Sequence, residues 1–257
     1  MRKFKLLNYF ISEMIGLPLI HLDEVASTND LAREWLETGK AGHGAVFTTE
    51  FQKAGKGRDN AIWESDRGKN LLLTLILESE SFRVESRVEL NIIISLSLHD
   101  LLNRYYRGRT KIKWPNDIFV DEGKIAGILI ENSIQGKNIR SSIIGIGINI
   151  NQEKFEYENA VSMKLLDGQN HLKEEILFGL LDCIKHRLSS WKPGISANLH
   201  EEYERNMYKL NEQSRFMKNN APFTGVIRGM DESGRLILDK ENQLHYFENR
   251  EIQMLSA

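Results

Sequence analysis

Apolar residues along this chain recur with two periods, and the two periods divide it into strands and helices. Asn70-Leu-Leu-Leu-Thr-Leu-Ile-Leu77 is nearly all apolar, as a strand buried on both faces must be. Leu19–Leu22, Gly44–Glu50, Lys111–Trp114, Ile118–Val120, Ile125–Glu131 and Arg140–Asn149 read as further strands. Ser27-Thr-Asn-Asp30 opens a helix, and Ser27 followed three residues later by Asp30 has the form of a capping box. Leu31, Ala32, Trp35 and Leu36 give that helix its apolar face, and Gly39 and Gly42 end it. Val84–Tyr106 is a long helix, apolar around Ile92-Ile-Ile94, Leu96, Leu98, Leu101 and Leu102, so burial on several sides is expected. Glu174–Trp191 is amphipathic, another helix runs from about Ser196 to Tyr208, and residues 151–167 read as loop.

The pattern then changes. Pro222–Gly229, Arg235–Asp239, Gln243–Phe247 and Glu251–Leu255 are short strands separated by turns at Asp231-Glu-Ser-Gly234 and Asp239–Asn242. The expected architecture is therefore α+β. A mixed β-sheet flanked by helices occupies residues 1–211, and a small all-β unit occupies residues 212–257.

Composition narrows the function classes. The 34 Lys and Arg nearly balance the 36 Asp and Glu, which argues against a general nucleic-acid binder. The single cysteine, Cys183, falls on the apolar stripe of a helix; it excludes a disulfide framework and fits a reducing compartment. Asn8, Ser12 and Glu13 interrupt the N-terminal apolar residues, no small-residue cleavage site follows, and no apolar run is long enough to span a membrane. A cytoplasmic location is expected.

Candidate chemistry lies in four places. Lys113-Trp-Pro-Asn-Asp117 ends a strand in turn chemistry. Gly123-Lys-Ile-Ala-Gly-Ile-Leu-Ile-Glu131 then sets Lys124 at the lip of an apolar strand, where it either pairs with an anion or is merely solvated. Lys53-Ala-Gly-Lys-Gly-Arg58 is rich in glycine and cations, with Trp63 close behind. Such a loop can cradle an anion through its N–H groups or be an ordinary surface loop, and Trp63 can stack on a ligand or be core. Its composition includes no apolar period, so nothing is expected to tie residues 53–67 down in the empty protein. Gly145 and Gly147 share a strand face, leaving either a side-chain-free groove for a flat ligand or a site of close packing. Ser27-Thr-Asn29 is either a helix cap or a ligand-facing polar cluster. No Walker A loop, HExxH, paired CxxC or GxSxG motif is present. What remains suits positioning and charge stabilisation in nucleotidyl or phosphoryl transfer.

The KWPND unit followed by GKIAGILIE resembles the biotin–protein ligases, and Glu50-Phe-Gln-Lys-Ala-Gly-Lys-Gly-Arg58 and Gly145-Ile-Gly-Ile-Asn149 fit the same family in the same order. The resemblance runs from about Leu19 to the C-terminus. It implies the class II synthetase-like biotin ligase catalytic fold with a small C-terminal SH3-like β-barrel. It also implies a reaction: ATP and Mg²⁺ convert biotin to biotinyl-AMP, and a lysine of a carboxylase's biotin carrier domain then takes the biotin. In that light Lys124 and Arg58 are catalytic. Ser27, Thr28, Asn29 and Gln52 hold the biotin head, and Gly55, Lys56, Gly57 and Arg58 wrap the acyl-phosphate. Trp63 stacks on adenine, and Gly127, Gly145 and Gly147 floor the pocket. Lys113 and Asn149 are further substrate contacts, and Asn116 or Asp117 serves either Mg²⁺ or the lysine. Beyond that pair the resemblance names no metal ligand and leaves the protein ligands to Mg²⁺ open, and a homodimer is compatible with the family.

Two departures stand out: Lys56 where arginine is usual, which loses the bidentate fork, and Asn60 where glycine is common. About twenty residues precede the first strand, too few for the helix-turn-helix domain of some family members, so no DNA binding by that route is expected. Two other readings remain open, a lipoate or octanoate ligase or transferase and a non-catalytic vitamin-binding module.

Overall fold

The computed structural model describes residues 14–58, 61–78, 82–191 and 197–255. Seven strands form one sheet: β1 (Leu19–Val25), β2 (Val46–Gln52), β3 (Leu71–Glu78), β4 (Thr110–Lys113), β5 (Asp117–Val120), β6 (Gly123–Gln135) and β7 (Asn138–Ile148). Their spatial order is β1-β2-β3-β7-β6-β5-β4. Only β1 and β2 run parallel; every other neighbouring pair is antiparallel. The sheet is therefore mixed, as the sequence implies.

Alternation along β3 explains how the sheet is covered. Leu71, Leu73, Leu75 and Leu77 enter the main core with α2 (Arg87–Tyr105) and α4 (Lys173–Ser190). Ile76, with Phe47 and Ile143, faces the other way into a smaller core under α1 (Thr28–Glu37), where Ala32, Leu31, Trp35 and Leu36 meet it. The breadth of the apolar surface of α2 has its cause here: its residues 92–98 are all buried, because the sheet lies on one side and α4 and α5 (Ala197–Arg205) on others. No helix among the described residues is long and apolar enough to cross a membrane.

A second, five-stranded antiparallel sheet follows, ordered β11-β10-β9-β8-β12. It comprises β8 (Gln213–Lys218), β9 (Ala221–Met230), β10 (Leu236–Lys240), β11 (Gln243–Phe247) and the two-residue β12 (Gln253–Met254). It is docked on the first unit by specific contacts. Trp114 Nε1 donates to Gly234 O at 3.0 Å, and Glu204 Oε1 on α5 accepts from Met230 N at 2.9 Å. In the segment leading into that sheet, Lys209 Nζ donates to Glu122 at 2.9 Å and Tyr208 Oη donates to the same carboxylate.

Four sequence expectations need correction. Strand β8 is unforeseen; of its six residues only Phe216 is buried, so it carries no alternating signal. Residues 151–167 are not all loop, since α3 (Met163–Asp167) forms there, capped by the Ser162 hydroxyl. The expected fourth C-terminal strand is reduced to β12. Ser27 is the N-cap residue of α1 by backbone geometry but makes no side-chain cap bond; Asp30, the expected reciprocal partner, is bonded to Arg33 and Lys56 instead.

Gly229 has φ +142°, and a Cβ there would overlap the Glu204 carboxylate that docks the second sheet. Gly229→Ala is expected to lower stability by about 1–3 kcal/mol through backbone strain plus displacement of Glu204. Urea unfolding checks this: a midpoint equal to that of the parent protein would show that the contact is not under constraint.

Candidate active site

The site lies on the α1 face of the sheet, where several adjoining positions lack side chains. Thr74 of β3 pairs with Gly145 of β7, Leu72 pairs with Gly147, and Gly147 pairs with Gly127 of β6. The result is a cavity of about 240 Å³. The glycine strip is not left empty for a ligand, however. A Cβ on Gly147 would overlap the Trp63 indole, one on Gly127 would come within 2.8 Å of Trp63 Cζ3, and one on Gly145 would overlap the Asn29 side-chain amide. The bare strip seats two of the pocket's own side chains, which become its walls. Trp63 Nε1 is buried with no hydrogen-bond partner.

One end of the cavity is polar. Ser27, Thr28 and Asn29 are each at least 96% buried and line it together with Gln52. Gln52 Oε1 accepts from Thr28 N at 2.8 Å and from Thr28 Oγ1 at 3.0 Å. Thr74, wholly buried, places its hydroxyl 2.8 Å from Thr28 Oγ1 and 2.7 Å from Asn29 Oδ1, and its one proton serves either acceptor. Asn29 Nδ2 donates to Glu131 Oε2 at 2.7 Å. Two cavity-lining side chains, Thr28 and Asn29, are thus held in fixed orientations by Thr74 and Glu131, neither of which is among the expected site residues. Thr74 carries a signal, as the only polar residue between Leu71 and Leu77.

The other end is charged. Lys124 Nζ lies 2.9 Å from Asp117 Oδ1, both side chains being 24% exposed, and 5.5 Å from the Trp63 ring centroid. Its backbone is pinned: Lys124 N donates to Asn159 O at 2.7 Å, and Val161 N donates to Lys124 O at 2.9 Å. Arg58 Nη1 donates to Asn116 Oδ1 at 3.2 Å, and Asn116 Nδ2 donates to Ile128 O at 2.6 Å. The KWPND turn thereby orients both cations. Asp117 stands beside Lys124, and Asn116 beside Arg58. Among the described residues no group of three His, Cys, Asp or Glu side chains converges.

The glycine-rich loop is tied down more fully than its composition suggests. Lys53 N and Ala54 N continue the β1–β2 pairing by donating to Val25 O and Ala26 O, both at 2.9 Å. Gly57 N donates to Ala61 O at 2.7 Å, and Trp63 N to Gly55 O at 3.0 Å. Charges fasten the outside: Lys53 to Glu24 at 2.5 Å, Lys56 to Asp30 at 2.6 Å, and Arg67 to Asp23 and Glu24. The acidic residues of β1 and α1 supply partners that a reading of the loop alone does not reveal. Asp59 and the departing residue Asn60 lie outside the described residues.

Three expected contacts stand elsewhere. Gly55 and Lys113 line not the small cavity but an adjoining cleft of about 1600 Å³ between the two sheets. Burial holds the Lys113 ammonium below its usual range, with Asp117 opposing and Lys124 adding to the shift. Asn149 lies behind Lys124: its Nδ2 donates to Val161 O at 3.1 Å, and its Oδ1 is buried without a partner.

The family model described as the biotin/lipoate A/B protein ligase family matches residues 22–149. The bifunctional ligase/repressor BirA of Bacillus spizizenii is 26% identical over 248 residues, 95% of this chain and 76% of that protein. A biotin–[acetyl-CoA-carboxylase] ligase of Paracoccus denitrificans is 28% identical over 222 residues, covering 82% of this chain and 90% of that one. The solved biotin protein ligase from Aquifex aeolicus, in complex with biotin and ATP, superposes with a TM-score of 0.78 at 26% identity, over 93% of this chain and 99% of that one.

Thr74→Val keeps the shape of the side chain but strips the buried Asn29 carbonyl oxygen of its donor. The expected cost is about 1–3 kcal/mol of folding stability. A urea midpoint unchanged from the parent would mean that Thr74 does not hold the polar end of the cavity.

Proposed function

The chain belongs to the biotin/lipoate A/B protein ligase family, and from that premise we propose that it is an ATP-dependent biotin–protein ligase. The observation that carries the reading is the two-ended cavity. Its fixed amide and hydroxyl groups suit a ligand head with hydrogen-bond donors and acceptors, and its oriented cations suit a carboxylate meeting a phosphate. The ureido ring of biotin offers both donors and a carbonyl to Ser27, Thr28, Asn29 and Gln52. The dithiolane of lipoate offers neither to that polar end of the cavity.

The chemistry asks the protein for no nucleophile. A biotin carboxylate oxygen attacks the α-phosphorus of ATP, the bond to the β-phosphate bridging oxygen breaks, and pyrophosphate leaves. A carrier-domain lysine amine then attacks the acyl carbon of the mixed anhydride, and AMP departs with the bonding pair. We assign Lys124 to the carboxylate and α-phosphate, where negative charge must be brought together, and Arg58 to the acyl-phosphate. Asp117 and Asn116 aim these two cations before substrate arrives, so little reorganisation is required at the moment of reaction. Trp63 walls the cavity and keeps water from a hydrolysable anhydride. Mg²⁺ would enter with ATP and offset the negative charge of its phosphates. The reading carries with it a cytoplasmic location, and sedimentation velocity decides between monomer and homodimer.

Biotin-dependent exchange of labelled pyrophosphate into ATP tests the activity; exchange that proceeds equally well without biotin, or with lipoate in its place, would reject it. Lys124→Ala is expected to cut adenylate formation about 10²–10³-fold, the usual effect of deleting one pre-oriented charge-stabilising group, with the fold retained. A folded variant that makes biotinyl-AMP at the parental rate would remove Lys124 from the mechanism.

A further inference from the structure

Lys56 and Arg58 sit two residues apart in the same loop, yet their side chains have different partners. Arg58 is bonded to Asn116 on the wall of the cavity. Lys56 Nζ is bonded to Asp30 Oδ1 at 2.6 Å, and Asp30 lines neither the cavity nor the cleft. An ammonium is a compact charge that serves one anion well, whereas a guanidinium can bridge two. Asp30 stands in the first turn of α1, where the helix dipole favours a carboxylate. Its Oδ1 also accepts from Arg33 Nη1 at 3.1 Å. Arg33 Nη2 in turn meets Glu131 Oε1 at 2.6 Å, and Glu131 Oε2 accepts from Asn29. An unbroken series of charged contacts thus joins the loop to a side chain resting on Gly145.

We propose that Asp30 is a positioning residue that, through Lys56, seats Gly55–Arg58 over the cavity and slows escape of the adenylate, leaving Arg58 and Lys124 as the cations that meet the phosphate. This rests on the biotin–protein ligase reading. It also gives a reason for lysine rather than arginine at position 56: the residue is an anchor for the loop, and the anchor needs a point charge opposite Asp30. Both side chains are partly exposed, 44% and 40%, so the pair governs where the loop sits more than whether the protein folds.

The test uses the full chain and two readouts. In ligand-free protein, the initial rate of trypsin cleavage after Lys56 and Arg58 should rise about two- to fivefold in Asp30→Asn, the factor set by one exposed ion pair. In single-turnover experiments with biotin and Mg-ATP, the rate at which biotinyl-AMP escapes should rise by a similar factor, with kcat/KM for biotin falling more than kcat. Raising the salt concentration should speed escape in the parent and have less effect in Asp30→Asn. Lys56→Asp should show the same defect, and combining it with Asp30→Lys should restore retention. Parental cleavage and escape rates in Asp30→Asn would overturn the proposal. So would a swapped pair no better than Lys56→Asp alone, because position 56 would then need its cation for the ligand itself. If the parent makes no biotinyl-AMP, the functional reading fails separately, and the ligand-free cleavage rate still decides the anchor.

Discussion

A side chain at Gly147 or Gly127 would overlap or crowd the Trp63 indole, and one at Gly145 would overlap the amide of Asn29. Everything else in the site follows from keeping that strip of sheet bare. Antiparallel pairing aligns Gly127 with Gly147, and Thr74 with Gly145, so the missing side chains form a depression instead of scattered gaps. Into it go a tryptophan from the loop and an asparagine from the helix start. Their backs rest on backbone, and their other surfaces define the cavity. A slip of one residue in the β6–β7 register would turn the glycines to the opposite face and fill the cavity with the isoleucines between them. The long ladders of β3, β7 and β6, buried in the main core, are what make such a slip costly.

The second constraint is electrostatic. Cations set beside an apolar sheet need anions near them while the site is empty. Asp117 serves Lys124, Asn116 offers its carbonyl oxygen to Arg58, and Asp30 serves Lys56. The first two partners lie in the turn that ends β4, and its position is fixed from below: Asn91 of α2 donates to Pro115 O at 2.9 Å. The central helix of the hydrophobic core thus holds the turn that aims the charges, linking core packing to the geometry of the site.

Much of this was legible in the sequence because its signals were local. The apolar run through Leu77 predicts a strand with two covered faces, and the structure has one. KWPND, the glycine loop, Lys124 and the paired glycines are compact motifs, and most of their residues meet around one cavity. What was not legible depends on contacts between distant segments. Thr74 and Glu131 matter because Asn29 lies between them, and Asp30 matters because the loop folds back onto α1. From its near neighbours alone Asp30 has the form of half a local capping box; its actual partners are Arg33 and, from the loop, Lys56. Strand β8 escaped notice because the second sheet needs little from it beyond Phe216, so its sequence is under no alternating constraint.

The loop has two sides, and this bears on how both half-reactions can use one site. Lys56, Gly57, Arg58, Ala61 and Ile62, with Asp117, line the small cavity and the large cleft alike. On the proposed function, the acid and its head are enclosed on one side, while a carrier lysine must arrive from the other. The anhydride therefore has to form at the partition itself, within reach of both. A partition made only of glycine and alanine would admit water as readily as an amine. One pinned by ion pairs at its base and by Arg58 at its tip can stay closed to solvent and still present its outer face to a protein. The second sheet supplies the far wall of that cleft, which is why the contacts of Trp114 and Glu204 that dock it belong to the site as much as to the fold.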